Sequence, residues 1–329
     1  MLAGYYTRTG WAWGSRMASA QLIGGDWGTT RLRLFLCSPE FMALEHLDGP
    51  GANRICGEYE KALDSLIRGW TDRHGDLPIV LSGMVGSSSG WVRTPYVPCP
   101  AQPEQIAAAC IELRGGRIHI VPGLSCRNRL GAPDFMRGEE TQLTGALHLE
   151  PALHHGQHLA CLPGAHTKWA LIEDGRIQDF LTAPTGELFA SLCSQTTTLI
   201  PADSNTRSEI IPEVFSRGLA RIRQSPATPL LHKLFECRSL RLSEELAPEA
   251  AASYLSGMLI GCDVQGALQL LAPSTQNPTI HLIGSSQLAR LYSMAMAALD
   301  VEVRVIDSVA ATVAGLTRID QLSRAQRLS

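Results

Sequence analysis

The amino-acid sequence predicts an α/β protein built from two similar halves around a central cleft. Predicted strands alternate with predicted helices, each half contains a β-hairpin with a glycine-containing turn, and a third glycine turn joins a late strand to a helix. With 329 residues, 45% of them hydrophobic, the chain can bury a large core and form two domains. We expect these domains to comprise residues 21–150 and 151–329.

The first hairpin lies at residues 24–36, which read GGDWGTTRLRLFL. Leucines at every second position from 32 to 36 indicate a half-buried strand. The turn residues Gly28, Thr29 and Thr30 offer backbone amides and hydroxyls, and such a set of donors suits a phosphate group. Asp26 precedes the turn, where its carboxylate could hold a hydrated Mg²⁺ against that phosphate. The alternative is an ordinary hairpin without a ligand.

The second hairpin lies at residues 159–172, LACLPGAHTKWALI, where two apolar strands flank a turn. Its Thr167-Lys168 pair corresponds to Thr30-Arg31 of the first hairpin, so we expect a duplicated fold with both turns facing one cleft. The residues expected to contact phosphate here are Gly164, Ala165, His166, Thr167 and Lys168. For Lys168 the alternative is a side chain that points outward from the strand.

A third glycine turn, within residues 281–286, follows an apolar strand. The turn contains Gly284 and Ser285 and opens a helix. The free N–H groups at a helix N-terminus favour an anionic or polar ligand. We therefore expect this turn to belong to the same ligand site.

Hydrophobic periodicity predicts the remaining elements. Predicted helices cover residues 58–74, 139–149, 186–199, 211–222, 247–271, 286–299 and 308–318. Further strands are predicted at 78–81, 117–121, 279–283 and 301–306.

Nine short blocks connect the chain to a known family. They are GDWGTTRLR near the start, LSGMVGSSSGW at 81–91, PYVPCPA at 95–101, VPGL at 121–124, FMRGEETQLTGA at 135–146, LPGAHTKW at 162–169, TGELF at 185–189, SGMLIG at 256–261 and IGSSQLARLY at 283–292. In these blocks and their order the chain resembles the 2-dehydro-3-deoxygalactonokinases, members of the actin-like ATPase superfamily with its duplicated, ribonuclease H-like fold.

The resemblance implies an activity. A family member transfers phosphate from ATP, with Mg²⁺, to the 6-hydroxyl of 2-dehydro-3-deoxy-D-galactonate during galactonate breakdown. It also implies that the turn at Gly284 and Ser285 contacts adenosine, and that the last helix bridges the domains. Another sugar or sugar acid as the substrate, or a non-catalytic actin-like regulator, are the alternatives.

The catalytic base is predicted from the superfamily pattern, in which an aspartate often precedes a helix shortly before the second hairpin. The equivalent place in this chain holds Glu139 and Glu140. Glu139 is the first choice as the group that accepts the hydroxyl proton, and Glu140 and Asp134 are alternatives. Otherwise both glutamates only stabilise the positive end of the helix.

The substrate pocket is expected in the first half. Arg137 could bind the substrate carboxylate through its planar guanidinium, unless it only pairs with a neighbouring glutamate. A loop after a strand is where α/β proteins bind ligands. The residues expected to line the pocket are Ser82, Gly83, Met84, Val85, Gly86, Trp91 and Tyr96.

Composition and missing motifs exclude other classes. A net charge of -3 gives no reason to expect nucleic acid or an anionic membrane as a partner. The nine scattered cysteines, never spaced CxxC, suggest reduced thiols and a cytoplasmic protein, and a homo-oligomer stays open. The chain contains neither GxxxxGK[ST] nor GxGxxG. Residues 1–20 are expected to be a disordered extension, with a later start at Met17 or a presequence as alternatives.

Overall fold

A computed structural model describes residues 19–55, 57–195, 210–272, 279–284 and 286–328 of the chain. Its strands, in chain order, are β1 (Leu22–Trp27), β2 (Arg31–Cys37), β3 (Ala43–Pro50), β4 (Ile79–Gly83), β5 (Tyr96–Pro98), β6 (Ile111–Leu113), β7 (Ile118–Ile120), β8 (Gly123–Arg127), β9 (Pro133–Met136), β10 (Gln157–Leu162), β11 (Thr167–Glu173), β12 (Arg176–Ala183), β13 (Ile280–Gly284) and β14 (Val303–Asp307).

The helices alternate with these strands, as the sequence predicts. They are α1 (Tyr59–His74), α2 (Pro103–Ala108), α3 (Glu139–Leu149), α4 (Thr185–Gln195), α5 (Pro212–Gln224), α6 (Leu230–Leu234), α7 (Glu236–Leu242), α8 (Ala251–Leu271), α9 (Ser286–Ala297) and α10 (Ser308–Leu328). Within the described ranges each of the seven predicted helices is present, the predicted residues 196–199 lie outside those ranges, and α10 continues ten residues beyond its predicted end at 318.

Two large sheets repeat one topology. The first has the order β3-β2-β1-β4-β7-β6 and the second has the order β12-β11-β10-β13-β14. In each, an antiparallel meander of three strands is joined to two parallel strands, because β1 pairs antiparallel with β2 and parallel with β4, and β10 does the same with β11 and β13. The predicted duplicated actin-like fold is therefore confirmed.

A small third sheet connects the halves. Its strands lie in the order β5-β8-β9, and all three belong to the first half of the chain. Asp134 on β9 accepts hydrogen bonds from the backbone N–H and the hydroxyl of Thr182 on β12, at 2.9 and 2.5 Å. This sheet lies along the second half, shapes the cleft and was not predicted from the sequence.

Helices α3 and α10 cross closely between the two large sheets. A Cβ atom on Gly145 would lie 1.8 Å from the carbonyl oxygen of Ala311, and one on Gly315 would lie 1.9 Å from that of Thr141. Only glycine permits this approach of two backbones. One hydrophobic core surrounds the crossing and includes residues of both sheets, such as Val80 and Ile283. The C-terminal helix thus returns to the first half and fixes α3 in place.

None of the helices in the described ranges combines the length and the hydropathy that a membrane-spanning segment needs.

Candidate active site

The first hairpin forms as predicted, with its turn between β1 and β2. The backbone N–H of Gly28 donates to the carbonyl oxygen of Arg31 at 2.9 Å and closes the turn. Asp26, near the end of β1, is half-buried and pairs with Arg33, whose nitrogen lies 2.6 Å from Oδ2. One carboxylate oxygen is therefore held in place beside the turn.

The second hairpin also forms, between β10 and β11. The imidazole of His166 contacts the carboxylate of Glu187 at 2.7 Å on the exposed side of the turn. Lys168 is buried and donates to the carbonyl oxygen of Phe135 and the hydroxyl of Thr182, both at 2.7 Å. Its ammonium group therefore points inward from the strand, contrary to the alternative that the sequence left open.

Both turns line a single cleft with a volume of about 440 Å³. Eleven residues predicted for the site lie in its wall: Asp26, Gly28, Thr29, Met84, Tyr96, Arg137, Glu139, Gly164, Ala165, His166 and Lys168. The structure thus brings the two hairpins, the favoured base and the favoured carboxylate-binding residue to one place.

Glu139 opens helix α3 at the floor of this cleft. Its Oε2 accepts a hydrogen bond from the backbone N–H of Arg137 at 3.1 Å. Burial raises the pKa of Glu139 above the ordinary value, the charge of Lys168 opposes the rise, and the charge of Asp26 adds to it. A half-buried carboxylate with a raised pKa, between a cation and a second carboxylate, is typical of a general base.

Two glycines lie where the end of β4 meets the start of α3. Gly83 has φ of 89°, and a Cβ atom there would lie 2.8 Å from the carbonyl oxygen of Trp27 and 3.3 Å from Oδ1 of Asp26. Gly138 has φ of 110° and packs against Gly83. Two glycines in a conformation that other residues rarely adopt therefore bring the end of β4 and the start of α3 together.

Arg137 lies in a fixed position at the cleft wall. Its guanidinium donates to the hydroxyl of Thr94, donates to the carbonyl oxygen of Thr94 at 3.3 Å, and lies 4.4 Å from the ring centre of Tyr96. A Cβ atom on Gly86 would lie 2.8 Å from the nearer guanidinium nitrogen, so glycine is needed to make room for it. Nε is buried and has no hydrogen-bond partner within the described part of the chain.

Two of the three candidate bases do not face the cleft. Glu140 is fully buried, and its carboxylate accepts hydrogen bonds from the backbone N–H of Gly138 at 2.6 Å and the hydroxyl of Thr141 at 3.1 Å. Asp134 is buried among its donors Asn128, Phe135 and Thr182. The structure thus gives both residues structural contacts, and of the three candidate bases Glu139 lines the cleft.

Other predicted residues also lie outside the cleft wall. Thr167 is buried and its hydroxyl contacts Tyr292 instead of facing the turn. The hydroxyl of Ser82 donates to Gly25, and Val85 and Trp91 pack in the core with Tyr59. The remaining ones are Thr30, Gly83, Gly86 and Gly284, and the prediction for Ser285 falls outside the described residues.

A second cavity of about 420 Å³ adjoins the cleft and shares Gly164 with it. Helices α4, α8 and α9 form its walls, with apolar side chains and a few polar groups. Its lining consists of Gly164, Thr185, Gly186, Phe189, Ile210, Ser256, Leu259, Ile260, Gln287, Leu288, Leu291 and Tyr292. A mostly apolar cavity with few polar groups is typical of a small-molecule site.

Most of this second cavity and part of the cleft were not predicted from the sequence. Phe135, whose ring packs edge-on against Tyr96 at 5.0 Å, lines the cleft beside Gln142. Gln142 could have been found from spacing, since it lies three residues after Glu139 on the same helix face. The second cavity draws on four of the quoted blocks, at 162–169, 185–189, 256–261 and 283–292.

Comparisons with known proteins identify the family of this chain. A family model described as 2-keto-3-deoxy-galactonokinase matches residues 26–319. A protein of Rhizobium meliloti (strain 1021), named a probable 2-dehydro-3-deoxygalactonokinase, is 34% identical over 299 residues, which cover 89% of this chain and 94% of the relative. The 2-dehydro-3-deoxygalactonokinase of Escherichia coli (strain K12) is 33% identical over 302 residues, 92% of this chain and 98% of the relative.

Among solved structures, a crystal structure from Sinorhizobium meliloti with the same assigned activity superposes with a TM-score of 0.78. It is 31% identical, and the match covers 92% of this chain and 96% of that one.

Proposed function

Since this chain belongs to the 2-keto-3-deoxy-galactonokinase family, we propose that it transfers the γ-phosphoryl group of ATP to the 6-hydroxyl of 2-dehydro-3-deoxy-D-galactonate in galactonate breakdown. One observation carries the proposal: both hairpin turns, Glu139 and Arg137 line one cleft. Phosphoryl transfer needs positioning, charge neutralisation and a group that accepts a proton, and this cleft contains candidates for each.

ATP extends across both cavities in this proposal. The adenosine occupies the cavity between α4, α8 and α9, and the phosphates run past Gly164 into the cleft. Amides of the turns at Gly28 and Gly164 and the ammonium group of Lys168 then donate to phosphate oxygens. Within the described residues, two of the three ammonium hydrogens of Lys168 have acceptors, which leaves the third available to a phosphate oxygen.

Mg²⁺ fits the donors at the first turn. This ion prefers oxygen ligands and is usually held by one or two carboxylates together with phosphate and water. Asp26 has one oxygen paired with Arg33, and its other oxygen can face a hydrated ion. When bound, the ion would neutralise charge on the β- and γ-phosphates.

Glu139 is the proposed base. The 6-hydroxyl must lose its proton as its oxygen bonds to the γ-phosphorus, and a carboxylate within hydrogen-bond reach accepts it. Its raised pKa makes Glu139 a better proton acceptor than an ordinary glutamate. The hydrogen bond from the backbone of Arg137 holds the side chain in place.

The substrate carboxylate is assigned to Arg137. Arg137 lines the cleft, and a guanidinium pairs with a carboxylate through two parallel hydrogen bonds. Tyr96 and Phe135 form an apolar wall beside it. A substrate with an acid group at one end and a hydroxyl at the other would span from Arg137 to Glu139.

Two adjacent glutamates provide a matched test. Glu139→Gln keeps the shape of the side chain but cannot accept a proton, so kcat should fall by about 10²–10⁴-fold with a smaller change in KM for the sugar acid. Glu140→Gln makes the same change one residue away, at a group outside the cleft, and should keep most of the activity. ADP release would be measured for both variants with 2-dehydro-3-deoxy-D-galactonate. An inactive Glu140→Gln beside an active Glu139→Gln would refute the assignment.

A further inference from the structure

A carboxylate on α8 lies between the phosphate turn and the second cavity. Asp263 is half-buried and accepts three hydrogen bonds: from Nε1 of Trp169 at 2.8 Å, from the hydroxyl of Thr185 at 2.7 Å and from the hydroxyl of Tyr292 at 2.5 Å. The three donors belong to β11, α4 and α9. A single carboxylate therefore connects three elements that reach it from different directions.

Asp263 does not line either cavity. Burial raises its pKa, and its hydrogen bonds from Tyr292, Thr185 and Trp169 oppose this rise. Hydrogen-bond donors lower the free-energy cost of burying a carboxylate, but they do not remove it. A buried carboxylate is therefore expected to have a structural or functional role. None of the roles proposed for the cleft residues involves Asp263.

The contacts extend from Asp263 to the second hairpin. A tyrosine hydroxyl has one hydrogen, and Tyr292 donates it to Asp263. The contact of 2.8 Å between Tyr292 and Thr167 therefore has the Thr167 hydroxyl as its donor. Thr167 follows the phosphate turn directly and precedes Lys168, so this pair of hydrogen bonds ties the start of β11 to α9 and to Asp263.

The same carboxylate positions the start of α4. Thr185 is the first residue of this helix and lines the second cavity. The next residues lie against the phosphate turn, since Glu187 donates its backbone N–H to Ala165 at 2.9 Å and a Cβ atom on Gly186 would lie 2.4 Å from the carbonyl oxygen of Gly164. A shift of Thr185 would therefore move the cavity wall and the turn relative to each other.

We propose that Asp263 is a positioning residue for the nucleotide, because it holds the phosphate turn and the adenosine cavity in the one arrangement that fits a single ATP molecule. This inference rests on the proposed use of both cavities by ATP. It assigns no direct nucleotide contact to Asp263. The turn and the cavity belong to different elements, and the Asp263 carboxylate joins them.

The test compares two nucleotides that differ in the number of phosphates, AMP and ATP. AMP fills the adenosine cavity without extending to the β- and γ-phosphate sites, whereas ATP must fit the cavity and the turn together. In Asp263→Asn, an NH₂ group replaces one carboxylate oxygen. The hydroxyls of Thr185 and Tyr292, which donate hydrogen bonds to that oxygen in the wild type, would have to accept hydrogen bonds from the NH₂ group.

We expect KM for ATP and the Kd for ATP, from calorimetry, to rise about tenfold, which is roughly the effect of one charge-assisted hydrogen bond. The Kd for AMP should rise less than about threefold on the same scale, and KM for the sugar acid should change little.

Two further variants distinguish a loss of nucleotide positioning from a general loss of protein stability. Asp320→Asn alters another buried carboxylate, which pairs with Arg324 at 2.7 Å on α10 and lies outside both cavities, so it should leave KM for ATP unchanged even if the protein melts at a lower temperature. Thr167→Val removes the hydroxyl that links β11 to Tyr292, and it should raise KM for ATP in the same direction as Asp263→Asn. In the double variant, the loss of ATP-binding free energy should be smaller than the sum of the losses in the two single variants, because both substitutions break the same chain of contacts. If Asp263→Asn does not fold, Thr167→Val alone decides the question by the same two affinities.

The outcomes are distinct. A wild type that neither binds nor turns over ATP would refute the proposed function. A wild type that uses ATP, with a variant whose affinities for ATP and AMP are unchanged or fall equally, would overturn the positioning role and leave the kinase activity standing.

Discussion

Replacement of Glu140 by glutamine should make the protein more stable relative to the wild type as the pH rises. The wild-type carboxyl is fully buried, and burial together with the adjacent charge of Glu139 raises its pKa to about 8. In Glu140→Gln the amide oxygen can accept from the backbone of Gly138, and the NH₂ group can donate to Thr141. The variant therefore imitates the protonated acid at every pH.

The size of the effect follows from the two pKa values. The folded-state pKa of Glu140, about 8, lies above the ordinary value of 4.5, so this group contributes stability below pH 4.5 that is lost as the pH rises towards 8. The two values differ by about 3.5, which sets a ceiling of roughly 5 kcal/mol. Between pH 5 and pH 7, the free energy of unfolding of the wild type should fall by about 2.5 kcal/mol relative to the variant.

Urea titrations followed by tryptophan fluorescence at pH 5, 6 and 7 would measure this difference. The control is kinase activity at pH 7, which should be retained in the variant because Glu140 lies outside the cleft. Parallel pH dependences for the two proteins would show that Glu140 is ionised in the folded state. The account of a neutral acid beneath Glu139 would then be wrong.

Three other predictions concern the cleft. Asp26→Ala should lower kcat by about 10²-fold or more, because it removes charge organisation around the phosphates; steady-state rates near those of the wild type would contradict its role. Arg137→Ala should raise KM for the sugar acid by roughly 10–100-fold, and Gly86→Ala should act in the same direction, since its Cβ atom would lie 2.7 Å from Oγ1 of Thr94, which binds Arg137. An equal rise in KM for a substrate analogue that lacks the carboxylate would contradict the assignment of the carboxylate to Arg137. In a pH–rate profile, kcat/KM should decrease on the acid side with a pKa above 4.5, because burial raises the pKa of Glu139 and the base works only when ionised; an acid limb at or below 4.5 would exclude Glu139.

Local sequence patterns predicted the secondary-structure elements whose formation is determined by residues close together in the chain. Both hairpins follow from alternating strands around glycine turns, and α3 has the predicted bounds of 139–149. The repeated order of the two large sheets then follows from the repeated hairpin. The short strands β5, β8 and β9 escaped prediction because segments of three to five residues carry too little periodicity.

Side-chain direction could not be predicted from the same patterns. Glu139 and Glu140 are adjacent and chemically alike, but successive residues of a helix point about 100° apart. Only the packing of α3 against α10 decides that Glu139 faces the cleft and Glu140 the interior. Likewise, Thr167 and Lys168 alternate along β11, and the contact of Thr167 with Tyr292 lies 125 residues away in the chain.

The most direct test of the central proposal is phosphorylation by the wild-type chain of a small panel of acceptors. The panel would contain 2-dehydro-3-deoxy-D-galactonate, D-glucose and glycerol, with ATP and Mg²⁺, and would be read by ADP release and by NMR of the product. We expect efficient turnover of the 2-keto-3-deoxy acid alone, with the phosphate on its 6-oxygen. Turnover of glucose or glycerol without turnover of the sugar acid would leave the kinase fold intact and contradict the proposed substrate.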